Sequence, residues 1–284
     1  MPADRGKPPH NVHVLQRWVG EHADATGVAP QRVRRWISFM TVAAVLDRIR
    51  DEDDPVFALK GGVSMELRFG LDARATTDYD AAYREPGGDM VARLDEALTE
   101  PYGDFTLSRT EIKPIGNTGA IQLDLKLSYR GRRWATVILE VAPTEGDSGQ
   151  ELDHVPGIPL GAFGLPGPEE VACVAVRYQI AQKLHACTQI FATGRQNDRV
   201  RDLVDVLMLQ GRIDDMASVR DACVEIFSLR AKHAWPPTVT IFEDWPDRYA
   251  GLAADLDFEP SNVNDAAAAV QALIDAIDAA DGST

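Results

Sequence analysis

The sequence predicts an α+β protein on three observations. An apolar run, Val56 to Leu59, ends in two glycines and reads as a buried strand. Period-two segments recur between residues 77 and 141, and from residue 168 onward the apolar residues return at helical spacing. The expected organisation is a set of N-terminal helices at 1–54 packing on a core at 55–145, followed by a helical C-terminal domain at 146–284.

The elements follow in order. Val12, Val14, Leu15 and Val19 suit a short amphipathic helix over Asn11 to His22. Pro30 opens a second helix as its first residue, and Val33, Trp36, Ile37, Met40, Ala43 and Ala44 keep its apolar face. The acidic turn Asp51 to Pro55 ends it, and the strand at 56–59 leads through Gly61 and Gly62 into a helix reaching about Phe69. Strand character returns over Thr77 to Tyr83, and Pro86-Gly87-Gly88 breaks it before a helix at Asp89 to Leu98. Phe105 to Ile112 alternates moderately. Ala120 to Tyr129 alternates strictly, with Ile121, Leu123, Leu125 and Leu127 on one face and Gln122, Asp124, Lys126 and Ser128 on the other. Arg130-Gly131 then turns the chain into a hairpin partner at Trp134 to Val141. The Pro- and Gly-rich stretch from Pro143 to Pro168 reads as a long loop and the boundary between halves. Helices are expected from Pro168 through Cys187, from Asp198 to Leu209 after a polar loop at Thr193 to Asn197, from Asp214 to Arg230, around Tyr249 to Asp255, and from Asn262 to Ala280.

Composition narrows the function. With 44 acidic against 29 basic side chains the net charge is −15, which argues against broad coating of nucleic acid through many Lys/Arg–phosphate contacts. A focused basic patch is compatible with that charge, and three clusters are candidates: Arg32/Arg34/Arg35, Arg130/Arg132/Arg133 and Arg195/Arg199/Arg201. For the first, a solvated helix end is the favoured reading. No stretch approaches membrane-spanning length, and Met1 to Asn11 lacks the apolar core of a secretion signal. Cys173, Cys187 and Cys223 lie far apart and read as buried thiols. A soluble cytoplasmic protein with no membrane partner is expected.

The chemistry concentrates between residues 59 and 80. Asp78 and Asp80 stand one residue apart on an expected strand, so both carboxylates project from one face. Such a pair repels itself unless a cation lies between, and a hard divalent ion with oxygen ligands, typically Mg²⁺, meets that need while leaving positions for substrate phosphates. Gly61 and Gly62 let backbone N–H groups approach a phosphate, and Ser64 is expected to open the helix where a phosphate is favoured. Alone, either element is an ordinary turn or strand end; in this order and spacing they are parts for phosphoryl or nucleotidyl transfer. Asp124, on the polar face of its strand, is either a solvent-facing residue or a third acid that completes the metal shell or takes a proton from the attacking hydroxyl. Lys183, inside an otherwise apolar helix, either snorkels to water or presents its ammonium to a triphosphate. Arg199, Asp202 and Asp205 share one helical face at i, i+3 and i+6, where Arg199 and Asp202 could pair.

The order Leu59-Lys-Gly-Gly-x-Ser64, Asp78-x-Asp80, Lys183-Leu-His-Ala186 and Arg199-x-Arg-Asp-x-x-Asp205 resembles the AbiEii-type nucleotidyltransferases, toxins of type IV toxin–antitoxin systems that include the mycobacterial Men toxins. The resemblance runs from about Val56 to Leu209, and its glycine–serine and Asp-x-Asp elements mark the wider polymerase-β-like superfamily. It implies a polymerase-β-like core with a mixed sheet, and a helical C-terminal domain that completes the active site. Gly62 and Ser64 would then hold the nucleotide phosphates, and Asp78 and Asp80 would bind Mg²⁺; Gly61 and Asp124 join those two sets on their own positions, as read above. Lys183 would contact the triphosphate and Asp202 would be the late acidic element, while Arg195, Arg199 and Arg201, beside that site, are candidates for holding the acceptor or triphosphate. Two departures stand out: Arg201 occupies a position where the family usually has lysine, and Thr77 one where many relatives carry serine.

The implied reaction moves a nucleoside monophosphate from an NTP, a pyrimidine NTP such as CTP among the candidates, to an acceptor. In Men-type members that acceptor is the 3′ end of tRNA, and the addition blocks aminoacylation and so translation. A cognate antitoxin is the implied protein partner. Two other readings keep the fold: transfer to an antibiotic or protein hydroxyl, which the acidic surface motivates, and an inactive interaction module.

Overall fold

In a computed structural model, residues 4–85, 87–191 and 194–280 are described. Pro86 and Thr193, where the expected turn and polar loop begin, lie outside them. The chain divides into two compact units: residues 1–144 with 152–173, and residues 145–151 with 174–284.

The first unit carries helices α1 (Val12–Thr26), α2 (Pro30–Leu46), α3 (Gly61–Phe69) and α4 (Met90–Ala97). A two-residue ladder, β1 (Arg50–Asp51) with β2 (Asp54–Pro55), forms the acidic turn. The remaining strands are β3 (Phe57–Lys60), β4 (Asp78–Tyr83), β5 (Phe105–Arg109), β6 (Lys113–Ile115), β7 (Ala120–Tyr129), β8 (Arg132–Pro143), β9 (Leu152–Pro156) and β10 (Glu170–Val174). They form one mixed sheet in the order β5-β7-β8-β4-β3-β10-β9, with β6 beside β7. β4 runs parallel to β8 and antiparallel to β3.

Local chemistry explains the elements. Asn11 caps α1 by accepting from the Val14 N–H at 3.0 Å, and Gly27 closes that helix in the left-handed region. Asp89 caps α4 by accepting from Val91 and Ala92. Arg130 and Gly131, both with positive φ (47° and 74°), make the tight β7–β8 turn, whose sense of twist matches the strands. The alternation of β7 holds: Ile121, Leu123, Leu125 and Leu127 are buried, and Trp134, Val137, Leu139 and Val141 of β8 join them in the core.

Two expectations are corrected here. The stretch 143–168 is not one loop, because it contains β9. The segment expected to start a helix at Pro168 instead forms β10, which pairs in parallel with β3 at Cys173 and Leu59. Val171-Ala-Cys-Val174 is apolar throughout and buried, a pattern that suits a buried strand or a buried helix equally; the open edge of β3 decides it.

The second unit is built on α5 (Val176–Thr188), α6 (Arg201–Gln210), α7 (Met216–Arg230), α8 (Trp245–Leu256) and α9 (Val263–Asp278). Asp215 caps α7 by accepting from Ala217 and Ser218, and Asn262 caps α9 through the Asp265 N–H. Tyr178 donates to Glu225 at 2.9 Å, and Arg230 grips Glu145 through two hydrogen bonds of 2.7 Å. Leu184, Leu203, Val206, Leu209, Ile226, Trp245 and Ile274 are fully buried. Among the described residues no helix is long and apolar enough to cross a membrane.

Candidate active site

α3 begins at Gly61 itself, directly after β3, so the glycine pair forms the first turn of the helix rather than a loop before it. Lys60 pairs with Asp80 across β3 and β4, which brings the Asp80 side chain over the strand–helix junction. Gly61 has φ +65°, and a Cβ added there would overlap Asp80 Oδ2 and lie 2.7 Å from its Cγ. Only glycine meets both requirements. At Gly62 an added Cβ would stand 2.6 Å from Thr76 Cβ, so the segment leading to Asp78 packs directly on the helix backbone. The N-cap residue Lys60 makes no side-chain cap hydrogen bond, and the first turn of α3 carries the partial positive charge of a helix N-terminus.

Ser64 does not open this helix. It is fully buried in the first turn, and its Oγ donates back to the Gly61 carbonyl at 2.9 Å. Its hydroxyl serves the turn.

A buried carboxylate organises the approach to Asp78. Glu66 of α3, 3 % exposed, accepts from Trp36 Nε1 at 2.7 Å, from the Thr76 N–H at 2.9 Å and from Arg32 Nε at 3.3 Å. Arg32 also donates to the carbonyls of Gly70 and Ala73. The first arginine of its cluster therefore fixes the loop between α3 and β4. Sequence reading missed Glu66; a lone acid within an apolar helical stretch was the available signal.

Asp78 and Asp80 share one face of β4 and are both half-buried. Thr77 Oγ1 donates to Asp78 Oδ1 at 3.2 Å. On β8, Glu140 is the direct neighbour of Asp80 and Ile138 that of Asp78. Paired residues on adjacent strands project side by side, so Glu140 extends the acidic face. Gln122 of β7 donates to its Oε1 at 2.7 Å and orients it. Asp124 lies opposite Ile138 on the far side of β8. It shares the face but stands two strands, roughly 10 Å, from Asp78, and Ile138 separates them. The sheet thus sets Glu140, not Asp124, beside the Asp-x-Asp pair. Glu140 was legible as the one acid in Val137-Ile-Leu-Glu-Val141, but strand order was needed to see its neighbour. Among the described residues no group of three or more His, Cys, Asp or Glu is placed to hold a metal ion by itself.

In the second unit, Lys183 of α5 meets two acids of α6: its Nζ lies 2.6 Å from Asp205 Oδ2 and 3.2 Å from Asp202 Oδ1. Asp205 is 1 % and Asp202 4 % exposed. Charges this deeply buried persist only when paired. Asn197, wholly buried, donates to the carbonyls of Ala186 and Gln189 and accepts from the Arg199 N–H at 2.8 Å. It ties the end of α5 to the start of α6 and so sets lysine against acids.

The expected pairing of Arg199 with Asp202 is replaced. α6 starts at Arg201, so Arg199 precedes the helix and lies beside Asp198 at 4.0 Å, while Asp202 turns to Lys183. Arg201 is exposed at the helix start, and Arg195 is exposed beside Asp198.

A mixed sheet in which a glycine turn underlies an Asp-x-Asp strand is the architecture of a nucleotidyltransferase, here in the form found in nucleotidyltransferase toxins. The chain matches the family described as nucleotidyl transferase AbiEii toxin, type IV TA system, over residues 44–279, and belongs to it. Its fold is similar to that of MenT4, a nucleotidyltransferase toxin from Mycobacterium tuberculosis H37Rv. The TM-score is 0.62 at 18% identity, with 94% of this chain and 90% of that one covered. The Megavirus polyadenylate synthase overlaps only loosely, with a TM-score of 0.31 at 9% identity over 85% of this chain and 40% of that one. Among curated proteins no relative matches the chain by sequence.

Proposed function

We propose that this nucleotidyltransferase toxin transfers a nucleoside monophosphate from an NTP, CTP or another pyrimidine NTP being the candidate, to the 3′ end of tRNA, and that this addition blocks translation. The observation that carries the reading is the Gly61–Asp80 junction. A helix N-terminus that begins on two glycines adjoins a strand whose two acids share one face, which supports reading the junction as phosphate-binding N–H groups beside cation-binding carboxylates.

Two aspartate carboxylates flanked by a glutamate form an all-oxygen donor set suited to Mg²⁺. That ion is usually held by one or two carboxylates with water and substrate phosphates completing its shell, so a preformed three-ligand cage is not required. In this reading Asp78 and Asp80 hold the metal, which when bound neutralises charge on the attacking and leaving oxygens. Glu140, rather than Asp124, is the third acid, available as a ligand or to accept the proton of the attacking hydroxyl. The N–H groups at Gly61 and Gly62 receive phosphate oxygens. Lys183 contacts the triphosphate with Asp202 and Asp205 orienting its ammonium, and Arg199 and Arg201 hold triphosphate or acceptor. The toxin acts in the cytoplasm under the control of a cognate antitoxin.

Purified protein incubated with labelled NTPs, Mg²⁺ and total tRNA, alongside protein and aminoglycoside acceptors, tests the reading. Labelled tRNA is expected, lost in Asp80→Ala and on chelation of the metal. Labelling that persists in Asp80→Ala, or that falls only on protein or drug, overturns it.

A further inference from the structure

β8 outruns its neighbour. Residues 138–143 pair with β4, whereas 132–137 continue past the start of β4 at Asp78 and have no partner strand on that side among the described residues. α2 packs against this open stretch: Trp134 Nε1 donates to Ser38 Oγ at 3.0 Å. Between them lies a cleft of about 570 Å³, bounded by Thr77, the residue immediately before Asp78, and by Ile138, the direct partner of Asp78.

Three arginines line it: Arg34 and Arg35 from α2, and Arg133 from β8. No acidic residue is among its lining residues, and among the described residues none of the three has a carboxylate within ion-pair distance. The contrast is local, since Arg32 one turn earlier is neutralised by buried Glu66, and Arg130 by Asp104 at 2.8 Å. In a chain with 44 acids to 29 bases, convergence of three uncompensated cations is not a by-product of composition. Arg34 is held over the Trp134 ring at 4.6 Å, which fixes its guanidinium in place. The Nε of Arg35 is buried without a hydrogen-bond partner. Burial and the nearby charge of Arg133 together hold Arg34 below its usual pKa, the mark of cations kept close with nothing opposite them.

Such a cleft is stabilised by a ligand carrying several negative charges. We propose that it holds the phosphodiester backbone of a polynucleotide acceptor, with Arg34, Arg35 and Arg133 on its phosphates. The inference rests on reading Asp78 and Asp80 as the transfer site, beside which the cleft opens. It also explains how a strongly acidic toxin tolerates RNA: attraction is confined to one groove, where guanidinium forks match phosphate geometry. A cationic aminoglycoside would be repelled from the same place.

The test is direct binding of labelled tRNA without NTP and with the metal chelated, followed through a salt series. Arg133 is exposed, so Arg133→Ala leaves the fold intact, which a thermal melt checks. Roughly tenfold weaker binding is expected, the scale of one lost charged hydrogen bond. The slope of log affinity against log salt should fall by about one, with Arg133→Lys recovering most of that slope. NTP affinity should not move. Unchanged tRNA affinity and slope in Arg133→Ala and in Arg34→Ala/Arg35→Ala overturn the proposal, as does loss of NTP affinity with tRNA binding intact, which would make the cleft a triphosphate site. Wild-type protein that binds no tRNA overturns it too. Labelling is scored separately: arginine-dependent binding without Asp80-dependent labelling removes the transfer reading alone, and labelling whose KM for tRNA is unmoved by Arg133→Ala removes the cleft alone.

Discussion

The carboxylate of Asp80 lies over the Cα of Gly61, in the volume a side chain there would occupy. That contact joins the glycine start of α3 to the acidic strand, since β3 and β4 are in register at Lys60 and Asp80 and the helix starts one residue later. Gly61→Ala meets two penalties, a positive φ and a displaced carboxylate. We expect a stability loss of about 1–3 kcal/mol and loss of most nucleotidyl transfer. Gly131→Ala is the control: it shares the positive φ (+74°) but meets nothing within 4 Å, so it should cost about 1 kcal/mol and leave activity unchanged. Thermal melts and the labelling assay read both; equal activity in the two variants would contradict the role given to Asp80.

Glu140 and Asp124 are separable by substitution. Glu140→Gln keeps the shape and the contact with Gln122 but removes the charge beside Asp80. We expect turnover to fall by about 10²–10³, the usual effect of deleting one electrostatic contributor, and the Mg²⁺ concentration for half-maximal rate to rise. Asp124→Asn, two strands away, should stay within about threefold of wild type, an effect of under 1 kcal/mol. The opposite ranking restores Asp124 as the third acid.

Lys183 has a structural burden besides any contact with nucleotide. Lys183→Met leaves Asp202 and Asp205 buried without their cation, and a loss of about 3 kcal/mol is expected, as for other broken buried pairs. Adding Asp205→Asn should recover part of that stability without recovering activity. Denaturant unfolding provides the measurement, and additive losses in the double variant would show that the groups do not interact.

His185 supplies a pH dependence. Burial first, then the charges of Arg230 and His233, lower its pKa from 6.5 to about 4, and Arg230 Nη1 stands 3.4 Å from its Nδ1, a contact only the neutral ring accepts. The unfolded chain binds a proton more readily, so the stability from this group is complete above pH 6.5 and declines as the pH falls toward 4. A loss on the order of 1–3 kcal/mol across that window is expected. His233, lowered by burial, acts in the same direction. His185→Gln should flatten the stability profile between these limits, and an unchanged profile would assign the acid sensitivity elsewhere.

Much of the fold was legible where patterning met only one solution. The alternation of β7, the Arg130-Gly131 turn and the helix starts at Asn11, Pro30 and Asp89 are local signals, and each lies where the sequence indicates. The segment 170–174 was not, because a short apolar run satisfies a strand or a helix until a neighbouring strand offers its edge. Ser64 was expected at the helix start, but α3 begins three residues earlier at Gly61, so Ser64 falls inside its first turn.

By itself the sequence determined the acids at 78 and 80, the glycines before them and the excess of negative charge, because residue type and i, i+2 spacing are properties of the covalent chain. Only tertiary structure decided that Glu140 rather than Asp124 flanks that pair, that Lys183 is held by Asp202 and Asp205, and that three arginines share a cleft with no acid lining it among the described residues. Those relationships depend on strand order and helix packing, which bring together residues tens of positions apart and leave no periodic trace in the chain.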